Sequence, residues 1–108
     1  MTHDIPEPVA SFLAAVNAHD KNAFKDAFVA EPVVDDWGRT FTGTDQVTAW
    51  SDVEFIGSSP TLTVTDVSTK PGSVTVVGDW KSNHANGLSS FNFDLDGDKI
   101  AKMTIREG

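Results

Sequence analysis

The chain has 108 residues, enough for one hydrophobic core, and 39% of them are apolar, with seven Phe and three Trp in the chain. It contains no Cys, which removes disulfides, thiolate metal sites and thiol nucleophiles together. Sixteen acidic residues against eight basic ones give a formal charge of -8, which argues against nucleic acid and anionic membrane surfaces as partners, because both call for a positive face.

The opening stretch MTHDIPEPVASFLAAV has no basic segment ahead of its short apolar run and is interrupted by Pro6 and Pro8. Neither a signal peptide nor a membrane span is expected there, and the expected location is cytoplasmic. Both prolines suit the first turn of a helix, where a missing N–H costs little. Val9, Phe12, Leu13 and Val16 then recur at helical spacing and predict one apolar stripe ending near His19. Asp20 is a good N-cap for a second, shorter helix carrying Phe24, Ala27 and Phe28, which Pro32 stops. VVDDW reads as a short strand, GRT as a turn, and Thr44 as the cap of a third helix containing Val47 and Trp50.

Beyond Ser58 the apolar residues alternate instead of recurring every three or four positions. TLTVTDV, SVTVVGDWKSNHA, LSSFNFDL and KIAKMTIRE are strand candidates, separated by KPGS, NG and DGD. Asn86-Gly87 is the best local hairpin signal in the chain. Helices first and a meander of strands afterwards predict an α+β fold, one domain over residues 1–108, with three helices on the concave face of a curved antiparallel sheet. Phe91 and Phe93 with Ala101, Met103 and Ile105 would form the inner face. Asn92, Asp94, Lys102, Thr104 and Arg106 would point outward, where a second copy of the chain could cover part of the face.

In this order and spacing, FLAAVNAHDKNAFKDAF, VVDDWGRTFTG and FNFDLDGDKIAKMTI resemble the nuclear transport factor 2-like (NTF2-like) superfamily. That is the cone-shaped fold of ketosteroid isomerases and SnoaL-like polyketide cyclases. The resemblance covers roughly residues 9 to 50 and 88 to 106. It implies a pocket enclosed between sheet and helices, and a homodimer formed through the outer sheet face. Ketosteroid isomerase chemistry uses an Asp base and two neutral acids that donate hydrogen bonds to the dienolate oxygen. The position matching the base is Asp36; Phe12 stands where the oxyanion tyrosine would be, and Ser89 where the second donor would be. The chain has no Tyr at all, and losing one oxyanion donor typically costs ~100- to 1000-fold in turnover. Steroid isomerisation by the familiar apparatus is therefore not expected, and the same fold also hosts domains without catalysis.

Asp36 is the strongest single candidate for an acid–base group. Facing inward among Phe12, Trp37 and Trp50, it would be desolvated, which favours a basic carboxylate. Strand alternation lets only one of Asp35 and Asp36 point in, and the flanking valines do not say which. Period two along WKSNH puts Trp80, Ser82 and His84 on one face, so His84 is a candidate proton relay or carbonyl donor near the sheet's edge. Arg39 could fix a ligand carboxylate, but pairing with Asp35 or Asp36 is the simpler reading; His19 reads as a cation complementing a helix end, and His3 as part of a terminus.

The expected ligand-binding set joins Trp37, Trp50 and Trp80 with Phe12, Ser82, Ser89, Phe91 and Met103. DLDGD lacks the Glu an EF-hand loop needs, Ile105 standing in its place, and reads as a hairpin turn. No metal and no cofactor are expected, and neither GRTFTG nor KPGS has the pattern of a phosphate loop. Two functions from different classes stay open. One is a small isomerase, cyclase or dehydratase acting on a compact, mostly apolar carbonyl compound, with Asp36 as base and His84 or Ser82 as donor. The other is a non-catalytic small-molecule-binding or dimerisation domain of the same fold.

Overall fold

The structure, a computed structural model, describes residues 5–108. His3 lies outside the described residues. Helix α1 spans Val9–Ala18, its first turn closed by the amides of Ala10 and Phe12 donating to the carbonyls of Pro6 and Pro8. It ends where His19 adopts a left-handed conformation, φ 57°, and Asp20 N–H reaches back to the Ala15 carbonyl at 2.9 Å. Asp20 then caps α2, Lys21–Asp26, its carboxylate accepting from Ala23 N–H at 3.1 Å.

α2 stops sooner than the apolar spacing suggests. Phe28 and Pro32 both lie in strand β1, Phe28–Asp36, rather than in or just after the helix. Pro32 has no N–H to give to a ladder, and it falls where the pairing of β1 with the last strand slips between Phe28 and Val33. Trp37 and Gly38, with φ of 54° and 92°, form a two-residue hairpin into β2, Arg39–Thr42. The turn is thus Trp37-Gly38, and Arg39 and Thr40, read from the sequence as turn, are strand. Thr44 is the first residue of α3, Thr44–Glu54, not its cap: Gly43 holds that position, while the Thr44 hydroxyl donates to the Ala30 carbonyl at 3.0 Å.

A 3-10 turn, Ile56–Ser58, leads to β3 Thr61–Lys70, β4 Ser73–Lys81, β5 Asn86–Asp96 and β6 Lys99–Glu107. The six strands form one curled, unclosed sheet in the order β2-β1-β6-β5-β4-β3. All neighbours are antiparallel except β1 and β6, so the sheet is mixed, its first strand laid parallel to its last.

Asn86-Gly87 is not the β4–β5 turn. Both residues belong to β5, with Asn86 opposite Lys81, and residues 82–85 make the connection. Ser82 organises it: its hydroxyl donates to the Ala85 carbonyl at 2.7 Å and accepts from the amides of His84 and Ala85. Asn83 N–H fastens the turn to the 3-10 segment through the Ser58 carbonyl at 2.8 Å.

The core lies between the helices and the inner sheet face. Val9, Phe12, Leu13 and Val16 of α1 pack with Val74, Val76, Phe91, Phe93, Met103 and Ile105. Ile100 rather than Ala101 completes the inner row of β6, because Ala101 is an extra residue opposite the Asp94–Leu95 step of β5 and shifts the alternation. Phe12 is fully buried, its ring within 5.3–5.4 Å of those of Phe24, Phe28 and Phe93.

Candidate functional site

The end of β1, the end of α3 and the β4–β5 turn converge on a cavity of about 170 Å³. One wall is a run of stacked rings. Trp50 lies 4.8 Å from Phe55 and Phe55 lies 4.8 Å from Trp80, with interplanar angles of 24° and 18°, and Phe41 backs Trp50 at 5.8 Å from outside the lining. Phe91 and Ile105 add apolar surface from the sheet, and Ser89 and Ala85 line it from β5 and the preceding turn. Trp37, 58% exposed, lines the cavity from the hairpin.

Alternation along β1 separates the paired aspartates. Asp36 enters the cavity, its side chain 14% exposed. Its Oδ2 accepts from Trp50 Nε1 at 3.1 Å and from Arg39 Nη2 at 2.6 Å, while Oδ1 makes no hydrogen bond among the described residues. Asp35 turns the other way and is gripped by Arg106, with both guanidinium contacts at 3.0 Å, and by Gly38 N–H at 2.8 Å. Arg106 first, and then Gly38, hold the Asp35 carboxyl below the ordinary aspartate value.

Arg39 is held by two carboxylates. It pairs with Asp36 and, through both terminal nitrogens, with Glu54, the last residue of α3. Glu54 and then Asp36 raise the guanidinium's pKa further, while Arg39, with lesser help from His84, holds the Glu54 carboxyl below its usual range against the opposing push of burial. His84 Nε2 lies 3.1 Å from Glu54 Oε1. A carboxylate only accepts, so Nε2 carries the proton in this contact. Nδ1 is left to accept in the neutral ring or to donate in the imidazolium. Asp36, Arg39, Glu54 and His84 thus form a continuous polar chain beside an aromatic wall.

Seven of the residues expected at a site line this cavity: Asp36, Trp37, Trp50, Trp80, His84, Ser89 and Phe91. His84 gets there by the turn and not by strand alternation, since β4 ends at Lys81. Three do not line it. Phe12 and Met103 are fully buried in the core, and the Ser82 hydroxyl is consumed in its own turn. Sequence reasoning missed Glu54, Phe55, Ala85 and Ile105 as lining residues and read Arg39 as an aspartate partner ahead of a ligand-carboxylate clamp. Glu54 had a signal: four residues after Trp50 on the same helix, it shares that residue's face.

Asp94, Asp96 and Asp98 surround the two-residue turn from β5 to β6 rather than a common centre, and among the described residues no group of three His, Asp or Glu side chains could hold a metal ion. Among the described residues, no helix is long and apolar enough to cross a membrane.

No family model matches the chain, and no curated protein matches it. Solved structures do. A candidate polyketide cyclase from Sinorhizobium meliloti superposes with a TM-score of 0.84 at 18% identity, over 95% of this chain and 96% of that one. An NTF2-like protein of unknown function from Cytophaga hutchinsonii gives 0.81 at 15% identity, over 98% and 93%. The fold is that of the NTF2-like superfamily. A Catenulispora acidiphila protein with a ketosteroid isomerase-like fold, solved with trimethylamine, gives 0.76 at 22% identity, over 97% and 88%. Against the NTF2-like frame, the aspartate that resemblance marks as the base faces the cavity, and the residue in the place of the oxyanion tyrosine, Phe12, is packed into the core instead.

Proposed function

We propose that the cavity binds a compact, mostly apolar carbonyl compound and that Asp36 and His84 carry out acid–base chemistry on it, of the isomerase, cyclase or dehydratase type. The observation that carries this reading is the Asp36 carboxylate on the cavity wall. One oxygen is fixed by Trp50 and Arg39, and the other is free to take a proton beside apolar rings. In the reaction, Oδ1 removes a proton from the carbon next to the carbonyl, the electron pair of that C–H bond forms a C=C bond to the carbonyl carbon, and the C=O π pair moves onto the oxygen. The imidazolium of His84 or the hydroxyl of Ser89, whose only hydrogen bond among the described residues is a long one of 3.4 Å to the Gly87 carbonyl, donates to that oxygen. Asp36 then returns the proton to the same carbon or, where the substrate carries a conjugated C=C bond, to the far carbon of the dienolate, so no co-reactant is consumed.

The second reading, a binding or dimerisation domain without chemistry, is favoured by one specific observation. Asp36, Arg39, Glu54 and His84 are all engaged with one another, as in a structural ion-pair network. Deuterium uptake at the α-carbon of small enolisable ketones, followed by NMR in heavy water, separates the two. We expect uptake with the wild type and a loss of at least ~100-fold in Asp36→Asn with the fold retained. Uptake unchanged by that substitution removes Asp36 as the base. No uptake with any ketone that binds leaves the non-catalytic reading.

The proposal extends to the assembly. The outer face of β4, β5 and β6 presents Thr75, Val77, Ser90, Asn92 and Thr104, half-buried and uncharged, the kind of surface a second copy of the chain can cover.

A further inference from the structure

Resting on the reading of this cavity as the ligand site, we propose that it sorts guests by charge, admitting compact uncharged or cationic molecules and refusing anions, and that Glu54 is the residue that sets this selectivity. An arginine at the edge of an apolar cavity ordinarily captures carboxylates or phosphates, because its planar fork of N–H groups matches two oxygens at once. Here the fork is already filled. Nη1 and Nη2 both donate to Glu54, and Nη2 also donates to Asp36. An incoming carboxylate would have to displace Glu54 from a two-point contact while standing next to a second carboxylate.

The charges point the same way. Two carboxylates against one guanidinium leave the polar side of the cavity one unit negative with the His84 imidazole neutral and balanced with it protonated, in neither case positive, within a chain whose formal charge is -8. The unclaimed Asp36 Oδ1 is an acceptor, suited to an N–H, an O–H or an acidic C–H and unsuited to an anion. The indole of Trp37, half out in solvent on the cavity lining, is a surface that tolerates a cation.

Glu54's own position needs this explanation. It is the last residue of α3, where the helix dipole disfavours a negative charge, so the helix gains nothing from it. What it does there is hold Arg39 on one side and His84 on the other.

Three molecules of nearly one shape test the proposal: pinacolone, neutral; pivalate, an anion; and neopentylammonium, a cation. Binding is read from the indole N–H resonances of the three tryptophans, all of which line the cavity. The wild type is expected to bind pinacolone and neopentylammonium, and pivalate on the order of tenfold more weakly or worse. Glu54→Gln, which frees the fork, should raise pivalate affinity on the order of tenfold and lower that of neopentylammonium. Adding Arg39→Gln to that variant should abolish the gain. Asp52→Asn removes the same charge from α3 at a residue whose partner is Lys21, outside the cavity, and should leave the ranking as it was. Arg39→Gln alone, should Glu54→Gln fail to fold, is expected to tighten neopentylammonium and still exclude pivalate.

Pivalate binding the wild type as well as pinacolone overturns the proposal. So does an unchanged ranking in Glu54→Gln, a switch produced equally by Asp52→Asn, or a failure of all three molecules to move the indoles. None of these readings needs turnover. Lost deuterium uptake with the charge ranking intact rejects only the catalytic reading, and uptake with the ranking absent rejects only this one.

Discussion

Asp35 and Asp36 leave β1 in opposite directions and meet different arginines, Arg106 on the outer side and Arg39 at the cavity. Alternation along a strand made it legible that only one could face in; which one was not, because valines precede both and the deciding partner, Arg106, comes seventy-one positions later than Asp35. Glu54 escaped for a similar reason, since its meaning depends on His84 and Arg39, distant in sequence and brought together by a hairpin and a turn. These contacts make the protein sensitive to acid. Glu54 and Asp35 have folded pKa values below their ordinary ones of 4.5 and 3.8, so at higher pH both are ionised and their contacts stabilise the fold. That contribution is present above the ordinary values and is lost as pH falls through the lower, folded ones. Urea midpoints should therefore drop below about pH 4.5 and continue down, and Glu54→Gln should flatten the upper part of the decline. A midpoint level through this range, or one equally steep in Glu54→Gln, contradicts the assignment.

Elements were more legible than sites. The four late strands followed from alternation, and the Asp20 cap followed from residue type and place. β1 was read too short because a proline looks like a helix stop until the slipped register around it is known. The Asn86-Gly87 signal lost to Ser82, whose three turn hydrogen bonds fix a longer connection earlier in the chain. A strand glycine that carried no signal at all is tightly packed. Gly78 on β4 faces Val64, next to the bulge in β3, and a Cβ there would lie 2.7 Å from both Leu62 Cδ1 and the Thr63 carbonyl. Gly78→Ala should destabilise by about 1–3 kcal/mol as the bulge is pushed open, measured by urea denaturation. An unchanged midpoint would mean that β3 yields without cost.

At the scale of the whole molecule, helices before strands foretold an α+β fold with a curved sheet, the resemblance implied the cone, and the structure has both. The parallel seam between β1 and β6 was not foretold, because it joins segments far apart in the chain and neither carries a local mark of its partner's direction. The outer face, uncharged at Thr75, Val77, Ser90, Asn92 and Thr104 and carrying Asp94, Lys102 and Arg106 as well, bears on assembly at this scale. Hydroxyls of Ser73 and Thr75 both donate to Asn92 Oδ1, tying β4 to β5 across that face. Light scattering over a dilution series should give twice the 11.6 kDa chain mass; a monomer mass throughout rejects the dimer.

The ring-stacked wall also has a photophysical consequence. The chain contains no tyrosine, so its ultraviolet emission comes almost wholly from indoles, and all three border the same small space. Trp50 shares a hydrogen bond with the proposed base, Trp80 lies against Phe55, and Trp37 meets solvent. With no emitter elsewhere to dilute the signal, the protein's intrinsic glow is a gauge of that one place, and whatever enters it announces itself in colour and intensity without a label.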